Sequence, residues 1–491
     1  MEPEPKLYEK YLHEIWKRQS FTGQLNTYKN EPIRTIDIGT HNLSDAGPDF
    51  KHSRVQIGSL TYVGDIEIDL DYTDWKKHGH NIDSKYNKVI LHITLTNRFK
   101  QHYVFTKAGR KVPTISISEL IEDTEIERIS KKTHPNNNNN KLKCFDLNDD
   151  TSYKIKKNFI INLGIERFKK KSTKIYSRAK ELVFINELKL KEPVIKYELT
   201  EQFNNRTFSH EDFNNRNIWK QLFYELIFEA LGYSKNKSPM LKLARYADIN
   251  FMQSLGEDDD LLTRIESSLF KISGLLPDVE NTSDGELTEY ERGLFGNWQK
   301  IKEIYDSKYL NETQWNFLNH RPQNFPTIRI AGGARLLRDL LENNLITKII
   351  KKFEEIRNDK VLINSLRSIF IIKTDNYWSD HYVFSKPSKI KIKYFIGASR
   401  ADEIVINVVL PFISVYFDIF GKQVLSKRVL KIYQMYTQKS DNKIVRQVAE
   451  SIGLEGYKKR TIFSQGMIEL FRNYCSKNKC LECEIGKIVF N

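Results

Sequence analysis

The sequence predicts an α+β N-terminal domain followed by a mainly α-helical region, and three observations lead there. Residues 60–70 alternate apolar and polar side chains, and with residues 52–58 they flank Gly58-Ser59, the pattern of a β-hairpin. Val89 to Leu95 is an apolar run of strand length. Further on the period changes: Ile218, Leu222, Phe223, Leu226, Ile227 and Ala230 recur at helical spacing until Gly232.

The N-terminal elements follow in order. Leu7, Leu12, Ile15 and Trp16 form an apolar stripe that predicts a helix over 5–19, with Glu14 beside it. Residues 33–38 alternate as a strand, 39–48 are turn-rich, and the hairpin strands come next. A polar turn or short helix spans 72–87 before the Val89–Leu95 strand, and Pro113 to Ile117 add a further strand. The resulting order is α-β-β-β-α-β. With 491 residues the chain exceeds a single hydrophobic core. Residues 1–130 read as the α/β domain and 131–150, with the Asn136–Asn140 run, as a linker. Residues 151–371 read as a helical domain, and 372–491 as a second mixed or helical region ending in a Cys-rich hook. No internal repeat is visible.

No run approaches the roughly 18–20 apolar residues of a membrane span. The first ten residues lack the apolar stretch of a secretory signal. A cytoplasmic protein without a membrane partner is expected. The net charge of +15 leans toward polyanionic partners, nucleic acid first. A Lys-, Asn- and Ile-rich composition can carry the same charge without functional demand, so charge alone decides nothing.

Seven of the eleven histidines fall within the first 102 residues, where the acids also gather. In Gly64–Asp71 the two-residue period puts Ile66, Ile68 and Leu70 on one face and Asp65, Glu67, Asp69 and Asp71 on the other. Four carboxylates in a row repel unless water or cations neutralise them. An exposed, solvated strand face is the plain reading; a metal site is the sharper one. Gly47-Pro48 fixes a bend that holds Asp49 where it can converge with Glu67 across the hairpin. Two such carboxylates can hold Mg²⁺ or Mn²⁺ and acidify a bound water for attack on a phosphodiester. His78-x-His80 can bind metal from one loop or simply mark a surface turn. His92 lies on a strand face, as a satisfied sheet histidine or a catalytic one.

On these residues the segment resembles the PD-(D/E)XK nuclease superfamily, over about 120 residues. The resemblance implies a restriction-endonuclease-like core with Asp49 and Glu67 as metal ligands and Glu14 as the acid from the preceding helix. It implies nucleic acid as substrate, DNA ahead of RNA. The superfamily's lysine two places after the second acid is Asp69 here. Lys51, Lys76, His78, His80 and His92 are the candidates for its work, with His80 and His92 foremost. If none serves, the chain is a non-catalytic nucleic-acid-binding or scaffold protein on a decayed nuclease core.

Cys475-x4-Cys480-x2-Cys483 gathers three soft ligands just after a helix, and Cys144 is the one further thiol. Disulfides are not expected in a chain without a secretory signal. Zn²⁺ and a [4Fe-4S] cluster both suit this set, with reduced structural thiols as the alternative.

Several pieces also resemble, as a set, an uncharacterised bacterial family known only as a domain of unknown function. They are Gly47-Pro48-Asp49-Phe50, Trp75 to His80 with Asp83-x-x-Tyr86-Asn87-x-Val89-Ile90-Leu91-His92, Arg321-Pro322-x-Asn324-Phe325-Pro326, Tyr377-Trp378, Ile406-Asn407-x-x-x-Pro411, Gln465-Gly466, and the terminal cysteines with Ile485-Gly486. The Arg-Pro-Gln-Asn-Phe-Pro turn reads as a lock on a helix start. Arg329 and Arg335 after it read as solvated or carboxylate-paired, with a phosphate contact as the alternative.

Overall fold

The computed structural model describes residues 9–42, 47–122, 142–145, 151–188, 201–277, 287–317, 321–439 and 442–490. They belong to two compact units, Met1–Asn140 and Lys141–Asn491.

In the first unit, helix α1 (Glu9–Arg18) covers a mixed sheet. Its strands are β1 (Ile33–Asp37), β2 (Thr40–His41), β3 (Phe50–Ile57), β4 (Leu60–Asp71), β5 (Val89–Thr96), β6 (Tyr103–Phe105) and β7 (Lys111–Ser116). The spatial order is β1-β3-β4-β5-β7-β6, with the two-residue β2 paired to β3. Neighbours β1, β3 and β4 run antiparallel, while β4, β5 and β7 run parallel. A parallel neighbour needs a crossover. Residues 72–88 supply it, through the short helix α2 (Asp74–Lys77) and the 3-10 turn Ser84–Lys88. The helix, hairpin and strands therefore stand in the predicted order, with β2 and β6 as additions too short to show a period.

Register separates the two faces. Ile66 lies opposite Leu91 and Ile68 opposite Ile93, which itself faces Ile115. These apolar side chains pack in one core with Leu12, Ile15 and Trp16 of α1. On the other face Glu67 lies opposite His92, and His92 opposite Thr114. That face is not solvated: Asp65, Glu67 and Asp69 are 7%, 3% and 0% exposed. Trp75 and Tyr86 of the crossover are buried as well, so the acids lie inside the unit.

The second unit is mostly helical. Its long helix Tyr153–Glu187 packs on Thr461–Asn473, and two glycines set how closely. A Cβ on Gly466 would lie 2.0 Å from the Ile160 carbonyl, and one on Gly164 2.3 Å from that of Ile462. The sequence suggests a division near residue 371, but side chains on both sides of it, such as Leu366, Phe395 and Phe412, share one apolar core. Most of the expected linker lies outside the described residues.

Candidate metal centre

Strand β4 fixes the acids at alternate positions, and three neighbouring segments bring histidines to them. Asp69 is the focus. His92 Nε2, from β5, lies 3.1 Å from Asp69 Oδ2, and His92 Nδ1 lies 3.1 Å from Thr114 Oγ1. His78 Nδ1, just after α2, lies 3.0 Å from Asp69 Oδ1. His80 Nε2 sits 2.9 Å from Glu67 Oε1 and 3.9 Å from Asp69 Oδ1. Asp69, His78 and His80 each offer a ligand atom within 4.8 Å of the others. Ligands on one ion at about 2.1 Å can be no more than about 4.2 Å apart, so a modest closure would seat a cation.

Asp49 and Glu67 clasp each other through the backbone. The Asp49 N–H donates to Glu67 Oε2 at 3.1 Å, and the Ile68 N–H donates to Asp49 Oδ2 at 2.9 Å. A bulge in β3 makes this possible. Pairing slips between Phe50 and Ser53, His52 takes a left-handed φ of 59°, and its N–H is received by Asp65. Asp71 is occupied locally, accepting from the Thr73 N–H and from the hydroxyls of Thr73 and Thr96.

From α1 the side chain that reaches Asp49 is His13, with Nε2 3.3 Å from Oδ2, and His41 Nε2 lies 3.3 Å from His13 Nδ1. Glu14 instead binds Lys17 at 2.6 Å, which holds its carboxyl below the usual range. Lys76 is exposed. His13 and His41 were legible only as part of the N-terminal excess of histidine, because α1 and β2 are distant from the acids in sequence.

Protonation follows from burial and these partners. Burial would raise the Asp69 carboxyl, but hydrogen bonds from His78 and His92 outweigh it and hold the group well below the usual carboxylate range. Burial pushes His80 down to about 4, against the opposing charge of Asp69. His80 is therefore a neutral imidazole at pH 7, the form that ligates metal. It is only 4% exposed, and its ring stacks on Tyr86 at 4.1 Å. Its approach to Glu67 lacks hydrogen-bond alignment, and neither ring nitrogen has a directed partner among the described residues. An orphaned, neutral, buried imidazole beside an ionised carboxylate is a donor set that fits a divalent cation.

The model of the family described as "Protein of unknown function (DUF2851)" matches residues 9–209 and 185–443. The chain belongs to that family. Neither a curated protein nor a solved structure matches it. The DUF2851 match takes in the whole Asp/His cluster, whereas the terminal cysteines lie beyond it.

In this DUF2851 chain none of the four cysteines, all within the second unit, is joined in a disulfide. Cys475 is pushed up to about 12 by burial and by the charges that Cys483, Cys144 and Cys480 would carry. Burial also raises Cys144 and Cys483, though backbone N–H groups of Gly486 and Ile485 aimed at Cys483 oppose this. A Cβ on Gly486 would lie 2.1 Å from the Cys480 carbonyl, so only glycine allows so tight a knuckle. Segments 331 residues apart in sequence (Cys144 and Cys475) thus bring their thiols into one electrostatic neighbourhood.

Proposed function

We propose that this chain is a metal-dependent nuclease, hydrolysing phosphodiester bonds of nucleic acid, with DNA ahead of RNA. One observation carries the reading: the wholly buried Asp69, which the nuclease resemblance would put in place of the superfamily's lysine, is surrounded by His78, His80 and His92. Asp69, His78 and His80 would hold the ion, and their imidazoles favour Mn²⁺ over Mg²⁺. A divalent ion bound there supplies an acidified water and offsets charge on the phosphate. His92 keeps Asp69 ionised and oriented. Glu67 stands beside His80 Nε2 with its charge and, through Oε2, holds the Asp49 backbone. The side chains of Asp49 and His13 are 16% and 14% exposed, and they offer a proton-accepting pair toward solvent. The net charge of +15 suits a polyanionic substrate.

The second reading is a non-catalytic nucleic-acid-binding or scaffold protein on a decayed nuclease core. It is favoured by the same replacement, since Asp69 brings negative charge where a cation would stabilise the developing anion. Incubation of the purified chain with linear, circular and single-stranded DNA and RNA in Mn²⁺ or Mg²⁺ separates the two. Cleavage abolished by Asp69→Asn supports the nuclease. Binding without cleavage supports the scaffold, and cleavage that survives the substitution removes this site from the chemistry.

For the thiols we assign a second, structural metal site, with Cys144, Cys475, Cys480 and Cys483 holding Zn²⁺ or a [4Fe-4S] cluster. Their mutual repulsion when ionised is what a cationic centre would reverse. Metal analysis of anaerobically purified protein tells the two apart, and a fully reduced chain without metal would contradict the assignment.

A further inference from the structure

Arg329 and Arg335 follow the same Pro-bounded turn, yet the fold treats them differently. Arg335 is neutralised by two carboxylates: Nη1 donates to Glu266 Oε1 at 2.8 Å and Nε to Asp375 Oδ2 at 2.9 Å. Arg329 is 5% exposed and meets only neutral acceptors, the Phe395 carbonyl, the Tyr233 hydroxyl and Asn324 Oδ1. No carboxylate among the described residues pairs with it. A buried guanidinium without a directly paired carboxylate is costly, and Glu403 acts on Arg329 only at a distance.

The surroundings add positive charge. Arg400, 9% exposed, lies over the Tyr233 ring at 3.5 Å, and Arg329 lies 5.1 Å from the same ring. The Nε atoms of both arginines are buried and have no hydrogen-bond partner among the described residues. Tyr233 itself is held at a left-handed φ of 53°, an uncommon and strained conformation for a bulky side chain. Lys237, exposed and one turn after Tyr233, has its backbone nitrogen 2.7 Å from where a Cβ on Gly232 would lie, and Arg400 is among the charges acting on it. Lys171, on which Lys237 acts as a like charge, bonds among the described residues to the neutral Asn407 and Gln465 oxygens alone. Asn407 belongs to a π-helical turn, Val405–Val409, a distortion frequent at functional sites. The nearby carboxylates are already engaged, Glu403 by Arg400, Glu469 by Arg167 and Lys170, and Glu229 by Lys174 at 3.9 Å.

We propose that the second unit carries an oxyanion site for a phosphate group, built by Arg329, Arg400, Lys171 and Lys237 around Tyr233. A phosphate offers the acceptors that the two orphaned Nε atoms lack and a direct ion-pair partner for Arg329 and Lys171. The phosphate can belong to a free phosphate or to a nucleic-acid backbone. The inference does not depend on the metal centre, because its readout is binding without added metal.

The test is calorimetric titration of the full chain with inorganic phosphate and, separately, with a short oligothymidylate. Saturable binding of phosphate identifies a free-phosphate site, and binding of the oligonucleotide alone identifies a backbone clamp; either supports the proposal. Lys237→Ala, which alters an exposed side chain and leaves the core intact, should weaken binding at least fivefold, and Arg329→Gln more. Lys348→Ala, an exposed cation elsewhere in the unit, should leave it unchanged. Binding of neither probe, or equal weakening by Lys237→Ala and Lys348→Ala, overturns the proposal.

Discussion

His92 Nε2 lies 3.1 Å from Asp69 Oδ2, and neither side chain is exposed to solvent at all. Two strands in parallel register supply the pair, and Thr114 on the next strand completes it. Removing one partner of a buried pair leaves the other without compensation. His92→Leu should therefore cost about 3 kcal/mol of stability, whereas Thr114→Val should cost about 1 kcal/mol. Urea unfolding followed by circular dichroism measures both, and equal costs would mean that Asp69 does not depend on His92.

A pH dependence follows from His80. Its folded-state value of about 4 lies below the ordinary 6.5. Between these values the unfolded chain binds a proton that the folded chain refuses, so stability falls as pH falls through that window. Asp69 is ionised in both states there; its own contribution fades only at lower pH, as the unfolded carboxyl protonates near 3.8. The loss between pH 6.5 and 4 should reach up to about 3 kcal/mol. His80→Phe should remove that share of the slope, as read from urea midpoints across the window.

Glu67 has a structural and a chemical task, and two substitutions part them. Glu67→Gln keeps an acceptor for the Asp49 N–H. Glu67→Ala leaves that donor unmet and should cost about 1–3 kcal/mol more. Both variants should lose cleavage if the carboxylate charge acts in the chemistry. If Glu67→Gln retains full activity, Glu67 serves the fold alone.

Gly486→Ala tests the thiol site without touching a thiol. The new Cβ would meet the Cys480 carbonyl at 2.1 Å, so the knuckle must open. Metal content assigned to the cysteines should fall by more than about half, with a stability loss of about 1–3 kcal/mol. Unchanged metal content would place the ion elsewhere.

Much of the first unit was legible because its signals are local. Hairpin alternation about Gly58-Ser59 needs only a two-residue period and the Val89–Leu95 run only an apolar stretch of strand length, and both strands stand there. The acid row at Asp65, Glu67 and Asp69 was legible for the same reason, but its burial was not. Period two tells which side chains share a face; it cannot tell what covers that face, and here Trp75 and Tyr86 do. His78 looked like a turn residue because its partner, Asp69, is nine positions away on a strand. The contrast between Arg329 and Arg335 depends on which distant carboxylates arrive, Glu266 and Asp375 in one case and none among the described residues in the other.

The central claim is that Asp69, His78 and His80 form a metal site, and His80→Phe tests it most directly. The ring makes no directed hydrogen bond and stacks on Tyr86, so phenylalanine preserves the packing while removing the ligand nitrogen. Mn²⁺, poorly suited to thiolates, should be titrated calorimetrically into the wild-type and variant chains. The site predicts one Mn²⁺ per wild-type chain and binding weakened by more than about tenfold in the variant. Equal Mn²⁺ affinity in the two chains would contradict it.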